Sequence, residues 1–430
     1  MNRIIYQIAL RSFTPEGTFE AATKLLEYVA SLGADVVYVC PFFKEDTSPE
    51  NQSRRQLESK TDNPKNPYRI SDYFAVDEEY GTIEDVKAFA DEAHRCGLEV
   101  MFDLVYLHAG PNAVFAKEHP EWFVRNDDGT VFIPDNWPFP RLNYSEKGLR
   151  EYLISNMKYL ISEFCVDGFR CDCGDYVPLD FWVEAFAECK KIKPTLYTLN
   201  EGYEVSYAQK AFDMMYPAMC NVTVRGIFKG ELSAKAMREC YEEEVKTHGQ
   251  NVYKCIRYTE THDTASDAGL LRNEITMTNR GVEAATVLTH TLPGIPFLWN
   301  GVEFCDDAEN NMFSNRFCGK RSAINWSKAF SGEGRRRLEF IKKINNLYHN
   351  CTEVNSGDIE WIDTDCPEDV IAYVRSTEDK KVLVLINTRN KELSMNMNIN
   401  TVKEYMKSGV TYQNGKAFFE PFGYLISEII

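Results

Sequence analysis

A guanidinium and a carboxylate stand two residues apart in the stretch VDGFRCDCGDY, residues 166–176. Because positions i and i+2 of a strand face the same way, Arg170 and Asp172 should project together, with Cys171 on the other face. A structural ion pair is the simpler interpretation. The alternative is an aspartate held ionised and aimed for chemistry, since a nearby cation lowers the pKa of a carboxyl group.

Acidic and histidine side chains also follow other apolar runs of the sequence. They are Asp103, His108, Glu201, His262 and Asp263. A strand-end carboxylate taken singly often caps the next helix, and a lone histidine is commonly a core residue. Carboxylates that converge repel one another, and proteins tolerate this where it drives their pKa values apart for acid and base catalysis. The set as a whole therefore indicates a site with paired carboxylates.

Eight short apolar runs, separated by amphipathic segments, would bring these side chains together. The predicted strands are IIYQIAL, ADVVYVCPF, LEVMFDLVYL, VDGFRCD, TLYTLNE, AFDMMY, VYKCIRYTETHD and GIPFLWNG. Such β-branched runs without polar alternation are typical of parallel strands that are buried on both faces. We predict an α/β fold, a (β/α)8 TIM barrel with catalytic groups at the carboxyl ends of its strands. A doubly wound sheet is disfavoured because no glycine-rich phosphate turn opens the chain.

Helices are predicted between these strands, over residues 19–33, 83–97 and 146–164 among others. Residues 41–67 are polar and are predicted to be a surface loop. Residues 109–143, with Trp122 and Trp137, are predicted to be a small insertion after the third strand, in which the two tryptophans either stack on sugars or pack the insertion. Short strands beyond residue 350 predict an antiparallel β domain. The predicted domains are a barrel over 1–350 and a β-sandwich over 351–430.

The composition restricts the partners of the protein. The formal net charge is −17, from 48 Lys and Arg against 65 Asp and Glu. Nucleic acids and anionic membranes both favour basic surfaces, so we expect neither as a partner. The thirteen cysteines include no CxxC pair, and the sequence therefore gives no zinc pattern.

The cellular location is predicted from the cysteines and the first residues. MNRIIYQIAL lacks the long apolar stretch of a signal peptide, and no apolar run approaches the ~18 residues of a membrane span. Free thiols favour a reducing, cytoplasmic setting. A secreted protein stays open if a signal peptide has been removed. The sequence does not specify an oligomeric state.

Four short motifs resemble the conserved regions of the alpha-amylase family, glycoside hydrolase family 13. They are DLVYLH (103–108), DGFRCD (167–172), NE (200–201) and THD (261–263), in the order and on the strands where that family has them. NPYRISDYFAVDEEYGT and TLPGIPFLWNG resemble two flanking segments of the family. The resemblance extends from about residue 4 to the β-rich tail, and it implies a compact, intracellular member.

The resemblance implies a role for each matching residue. Asp172 matches the nucleophile, Glu201 the general acid/base, and Asp263 the transition-state stabiliser. Residues that match substrate-binding or supporting positions are Tyr68, Asp103, His108, Arg170 and His262. Arg170 matches the arginine that keeps the nucleophile ionised. Double displacement through a covalent glycosyl-enzyme would retain configuration, with the two carboxyl groups ~5 to 5.5 Å apart.

The chemistry implied in this way needs no metal or organic cofactor. Many members of the family bind a structural calcium ion through an asparagine before the first-region histidine. Leu107 stands there and has no oxygen to offer a hard cation. The insertion after the third strand is also short for a calcium-binding domain. We therefore expect no metal site among these residues and no cofactor.

The expected activity is hydrolysis of α-glucosidic bonds, mainly α-1,4, in maltooligosaccharides or related α-glucans. Transglycosylation with the same residues is an alternative, because a sugar hydroxyl can replace water at the same intermediate. A catalytically inactive sugar-binding or scaffold protein is a second alternative, disfavoured because Asp172, Glu201 and Asp263 are all present. Substrate length, linkage preference and the exo or endo mode depend on loops and are not predicted.

Overall fold

A computed structural model describes residues 3–135, 137–266, 271–317, 322–397 and 400–430 of the chain. The strands in these ranges are β1 (Ile5–Ile8), β2 (Val36–Val39), β3 (Phe43–Glu45), β4 (Ile70–Val76), β5 (Glu99–Leu104), β6 (Gly168–Cys171), β7 (Tyr197–Asn200), β8 (Met214–Met215), β9 (Ile256–Arg257), β10 (Ile295–Trp299), β11 (Asp358–Trp361), β12 (Val370–Ser376), β13 (Lys381–Asn387), β14 (Leu393–Asn396), β15 (Thr401–Gln413) and β16 (Lys416–Ile429).

The α-helices in the same ranges are α1 (Leu10–Phe13), α2 (Phe19–Thr23), α3 (Leu26–Ser31), α4 (Arg54–Glu58), α5 (Ile83–Arg95), α6 (Lys147–Phe164), α7 (Leu179–Lys190), α8 (Val205–Lys210), α9 (Cys220–Phe228), α10 (Lys235–His248), α11 (His262–Ser266), α12 (Asn273–Thr276), α13 (Thr278–Thr291), α14 (Gly332–Asn350) and α15 (Thr352–Ser356). Short 3₁₀ helices lie at Pro120–Trp122, Gly174–Tyr176, Gly249–Lys254, Val302–Phe304 and Trp326–Phe330. Among the described residues, no helix has both the length and the apolar character needed to cross a membrane.

Eight strands form a parallel barrel in the order β8-β7-β6-β5-β2-β1-β10-β9. A parallel bridge between Met215 and Cys255 joins the two ends of this order. Every residue of β1, β2, β6 and β7 is buried, as expected where helices cover one face and the barrel interior fills the other. The predicted barrel, followed by an antiparallel β domain, is confirmed.

The local predictions differ from the structure at two elements. The helix predicted over 19–33 is interrupted, because Leu25 leaves helical geometry with φ −107° and ψ 0°. The strand predicted over 252–263 is reduced to Ile256–Arg257, which follows a 3₁₀ helix over Gly249–Lys254. Pairing with β10 ends at Arg257, and beyond it the carbonyl of Thr259 accepts a 2.9 Å hydrogen bond from the Asn273 side chain in place of a strand partner.

The prediction of a surface loop over 41–67 is wrong. This segment contains β3, which pairs antiparallel with β4, and the helix α4. Many of its polar side chains are buried, including Glu45, Asp46, Gln56 and Asn63. Most of their polar groups have partners within the protein, as where Gln56 Nε2 donates to the Asn63 carbonyl at 3.0 Å, and this allows a polar sequence to be buried.

The insertion after β5 contains one 3₁₀ helix and is pinned by short bridges between His108 and Arg141 and between Phe123 and Leu142. Trp122 is buried, and its ring centroid lies 5.2 Å from Phe115 and 5.4 Å from Tyr152. Trp122 therefore packs the insertion, whereas Trp137 contributes to the cavity described below.

The C-terminal strands form one antiparallel sheet in the order β11-β12-β13-β16-β14, with β15 also paired to β16. The strands are connected because β16 pairs with β13 along its second half and with β14 along its first half. The domain division at residue 350 and the β-sandwich over 351–430 stay predictions. Arg375 and Tyr373 of this sheet contact Thr291 at the end of α13.

Candidate active site

The side chains selected from the strand ends converge at one mouth of the barrel. Asp103 lies on β5, Asp172 follows β6, Glu201 follows β7, and Asp263 lies in α11 after β9. Asp172, Glu201 and Asp263 line one cavity of about 570 Å³. Its walls are completed by Arg55, Tyr68, Leu107, Trp137, Arg141, Cys173, Tyr176 and Met312.

Asp172 and Glu201 are close neighbours in this cavity. Three atoms lie within 4.8 Å of one another: a carboxylate oxygen of Asp172, a carboxylate oxygen of Glu201 and the Cys173 sulfur. Cys173 has φ 46°, in the left-handed region, and its backbone N–H donates a 2.8 Å hydrogen bond to Glu201 Oε2. The turn after β6 thus positions the Glu201 carboxylate. In doing so it holds Cys173 in a backbone conformation that residues other than glycine adopt rarely.

Arg170 connects the buried carboxylates beneath the cavity. Its Nη1 donates to Asp103 Oδ1 and Asp172 Oδ1 at 2.8 and 2.9 Å, and its Nη2 lies 2.9 Å from Glu201 Oε2. Tyr38 also donates to Asp103, at 2.6 Å. Asp103 is completely buried, so it supports Arg170 from below the cavity floor.

The charge balance around Arg170 corrects the expectation for Asp172. Burial raises the pKa of Asp172 well above its ordinary value, and the Glu201 charge raises it further, whereas Arg170 lowers it. One guanidinium faces three carboxylates, so the cluster retains a proton more readily than an isolated Arg–Asp pair would. Arg170 therefore reduces the rise in the Asp172 pKa but does not reverse it.

His262 is oriented by groups on both sides of its ring. Gln7 on β1 lies 2.8 Å from Nδ1 through its side-chain nitrogen and accepts the His262 backbone N–H at 3.1 Å. Because the Gln7 amide donates to Nδ1, the proton of the neutral ring lies on Nε2. Nε2 lies 2.5 Å from the Tyr68 hydroxyl and 3.5 Å from Asp263 Oδ2. Burial lowers the pKa of His262, although Asp263 opposes this shift.

Tyr68 stacks on His262, with ring centroids 5.5 Å apart and planes at 13°. Its hydroxyl also lies 3.1 Å from Asp103 Oδ2. His108 is buried, and its Nε2 lies 2.8 Å from the Tyr68 carbonyl oxygen, to which it donates. Burial lowers the pKa of His108 to about 3, so the ring is neutral at physiological pH. In the described structure, Leu107 lines the cavity while His108 supports the backbone of Tyr68.

Asp263 is the most exposed of the three cavity carboxylates and faces a second arginine. Arg55 Nη1 from α4 lies 3.4 Å from Asp263 Oδ1. Burial tends to raise the pKa of Asp263, but His262, Arg170 and Arg55 outweigh it and lower the pKa. Asp263 is thus an anion, whereas burial and the Glu201 charge raise the pKa of Asp172.

Several residues of the site were not predicted from the sequence. Asp175 accepts hydrogen bonds from the Asn200 side chain at 2.7 Å and from the backbone N–H groups of Tyr203 and Glu204 at 2.7 and 3.0 Å. It therefore fixes the loop that carries Glu201. Asp175 lies three residues after Asp172, beyond the end of the same strand. A search for acidic residues that continued three residues past each strand end would have found it. Arg55 had no such signal, because it lies in a polar segment.

A metal ion is disfavoured among the donor atoms of Asp172, Cys173 and Glu201. Arg170 already contacts both carboxylates, and its charge would repel a cation. Burial and the two neighbouring carboxylates raise the pKa of the Cys173 thiol, so it is not the thiolate that metals bind. Leu107 adds only an apolar wall to this cavity.

Comparison with known proteins gives a consistent family. Residues 7–138 match the family "Alpha amylase, catalytic domain". Alpha-amylase MalA of Haloarcula japonica is 26% identical over 406 residues, covering 89% of this chain and 55% of that protein. The maltogenic alpha-amylase of Bacillus acidopullulyticus is 24% identical over 418 residues, covering 91% of this chain and 66% of its own length. The chain thus spans less than two thirds of either relative.

Solved structures show the same architecture. The maltogenic alpha-amylase AmyB of Thermotoga neapolitana superposes with a TM-score of 0.82 at 24% identity, and the match covers 100% of this chain and 99% of that one. The chain is thus a (β/α)8 barrel with a cluster of carboxylates at one mouth, the face where barrel enzymes carry their active sites. Residues 7–138 thus match the alpha-amylase catalytic domain, and most of the chain is similar to proteins named alpha-amylases.

Proposed function

We propose that this protein is a retaining glycoside hydrolase that cleaves α-glucosidic bonds, mainly α-1,4, in maltooligosaccharides or related α-glucans. The observation that carries the proposal is the short separation of the Asp172 and Glu201 carboxylates, with oxygens within 4.8 Å of each other. Retaining enzymes need a carboxylate near enough to attack the sugar directly, whereas inverting enzymes keep their carboxyl groups roughly 6.5–9.5 Å apart to admit water.

The first step uses Asp172 and Glu201 together. Glu201 gives its proton to the glycosidic oxygen while Asp172 attacks the anomeric carbon, so one bond to that carbon forms as the other breaks. This step requires one proton on the carboxylate pair. The raised pKa of Asp172, caused by burial and by Glu201, supports a pair that holds a single proton. Once Glu201 holds that proton, Arg170 stabilises the Asp172 anion at 2.9 Å.

The second step returns the enzyme to its starting state. Glu201, now ionised, takes a proton from water, and the water oxygen breaks the bond between the sugar and Asp172. The Cys173 N–H and Arg170 contact Glu201 Oε2 and hold this carboxylate in position for the proton transfer. When a sugar hydroxyl takes the place of water, the same step gives transglycosylation.

The remaining residues bind the sugar whose bond is cleaved. Asp263, anionic and in the cavity wall, stabilises the positive charge that develops on the sugar through its hydroxyls. Tyr68 lines the cavity as an aromatic surface for the sugar. The Nε2–H of His262 faces the Tyr68 hydroxyl at 2.5 Å and holds that ring in place. His108 and Asp103 position Tyr68 and Arg170 from below.

We further propose that the reaction uses no metal or organic cofactor, and that the protein acts in the cytoplasm on imported oligosaccharides. The twelve cysteines in the described ranges are all free thiols, which supports a reducing compartment. The substrate is the one partner we propose. The net charge of −17 argues against nucleic acids and anionic membranes.

The test compares wild type with Glu201→Gln on maltooligosaccharides, pullulan, isomaltose and trehalose, with products separated by chromatography. Loss of the acid should lower turnover by roughly 10²–10⁴-fold without unfolding the protein. Glu204→Gln is the matched control, because Glu204 lies three residues along the same loop and is exposed. It should retain full activity. A folded wild type that turns over no α-glucoside would contradict the proposal, and products longer than the substrate would show transfer.

A further inference from the structure

Arg55 contributes a positive charge to the cavity from outside the barrel. Its Nη1 lies 3.4 Å from Asp263 Oδ1, and both side chains line the same cavity. The Arg55 side chain is 42% exposed and that of Asp263 is 34% exposed. The ion pair is therefore at the cavity mouth, in the path of an entering ligand, and not in the core.

The helix that carries Arg55 is held by buried polar contacts. The Ser53 side chain accepts the Gln56 backbone N–H at 3.2 Å and caps α4. The Gln56 side chain is buried and donates to the carbonyls of Asn63 and Pro64 at 3.0 and 2.9 Å. Thr61 and Asn63 both donate to the carbonyl of Phe313 across the mouth. These bonds present Arg55 from a fixed element.

The position of Arg55 relative to Glu201, the proposed general acid, determines which part of a substrate Arg55 faces. Glu201 protonates the leaving oxygen, so the leaving part of the chain lies beside Glu201. In the described structure Glu201 pairs with Arg170, whereas Arg55 pairs with Asp263, the residue assigned to the hydroxyls of the retained sugar. Arg55 therefore borders the retained sugar, whose hydroxyls are assigned to Asp263.

We propose that Arg55 is a specificity-determining residue that narrows the cavity beyond the retained sugar, so that the protein favours the ends of glucan chains over their interior. This inference rests on the proposed function. A chain that extends past the retained sugar must displace Arg55 from Asp263. Given the exposure of the pair, the displacement lowers affinity for long chains up to about fivefold.

The experiment measures binding in a Glu201→Gln background, where the substrate stays intact. Isothermal titration with maltose and maltohexaose gives the ratio of their dissociation constants for three proteins: the background alone, and the background with Arg55→Ala or with Arg54→Ala. Arg54 is the matched control, because it lies on the same helix but is 86% exposed and pairs with Glu58. Arg55→Ala should shift the ratio about fivefold in favour of maltohexaose, and Arg54→Ala should not change it.

Arg55→Lys should keep most of the original preference, because it retains the charge. If the alanine variant does not fold, Arg55→Gln gives the same readout with a neutral side chain of similar reach. An equal ratio in the Arg55 and Arg54 variants overturns this inference and leaves the proposed function standing. Failure of every folded variant to bind either sugar overturns both.

Discussion

Arg170 is the side chain on which the electrostatics of the site depend, because it contacts Asp103, Asp172 and Glu201 with one guanidinium. The sequence placed Arg170 beside Asp172 through a simple two-residue spacing. It gave no indication that burial and a second carboxylate would oppose the arginine at Asp172. Spacing predicts neighbours along a strand, but the sign of a pKa shift depends on all the charges that the fold assembles.

At the same scale, His108 should make the stability of the protein depend on pH. Its pKa is about 3 in the folded state because the ring is buried, against roughly 6.5 when unfolded. Between these values the unfolded chain binds more protons, so the free energy of unfolding falls as the pH is lowered. For this one group the slope is at most about 1.4 kcal/mol per pH unit.

Replacing His108 by Gln removes this titration and keeps a side-chain donor for the Tyr68 carbonyl. The free energy of unfolding is measured in urea at roughly pH 4.5, 5.5, 6.5 and 7.5, which lie on both sides of the unfolded pKa of histidine. As the pH decreases, wild type should lose stability relative to His108→Gln. His119→Gln, which removes a half-exposed ring, is measured beside them as the control for loss of a histidine at the surface. Parallel curves for wild type and His108→Gln would contradict a neutral buried His108.

The segment over residues 46–66 shows how an element is stabilised without an apolar core of its own. Arg69 is completely buried and donates to the carbonyls of four residues, at 2.7 to 2.9 Å. They are Asp46, Ser48, Glu50 and Pro64. The Arg69 guanidinium thus supplies hydrogen bonds to backbone carbonyls that would otherwise need partners in a helix or a sheet.

Arg69→Met should therefore loosen this segment more than it changes the barrel. The four carbonyls lose their donor, and each unsatisfied buried group costs about 1–3 kcal/mol. We expect faster amide hydrogen exchange over 46–66, with lower activity because Tyr68 and Arg55 lose their support. Exchange in the barrel strands should be unchanged. Equal exchange over 46–66 in Arg69→Met and wild type would show that other contacts hold the segment.

Sequence patterns predicted the barrel strands, which share a repeated apolar pattern. They missed the elements whose structure depends on individual contacts between distant residues. Apolar runs indicated the barrel strands, because burial on both faces leaves a pattern along the chain. The polar composition of 41–67 suggested a loop, because nothing in it shows that Gln56 and Arg69 would find internal partners. Arg55 was missed for the same reason, since its contact with Asp263 joins residues 208 positions apart.

For the whole molecule, the barrel and the C-terminal sheet share specific polar contacts. Arg375 of the sheet donates to the Thr291 and Gly357 carbonyls, and the Tyr424 hydroxyl donates to Glu283 on α13 at 2.8 Å. These contacts lie at α13, which follows the segment carrying Asp263, and they do not reach the cavity. The sheet therefore supports the helical shell of the barrel, while the catalytic groups all come from strand ends and the loops that follow them.

The stereochemistry of the first product tests the central claim most directly. Hydrolysis of a maltooligosaccharide is followed by proton NMR from the first minutes, before the released sugar equilibrates between anomers. Direct attack by Asp172 followed by water activated by Glu201 predicts that the α-anomer appears first. If the β-anomer appears first, water attacks the substrate directly, and the roles proposed for Asp172 and Glu201 are wrong.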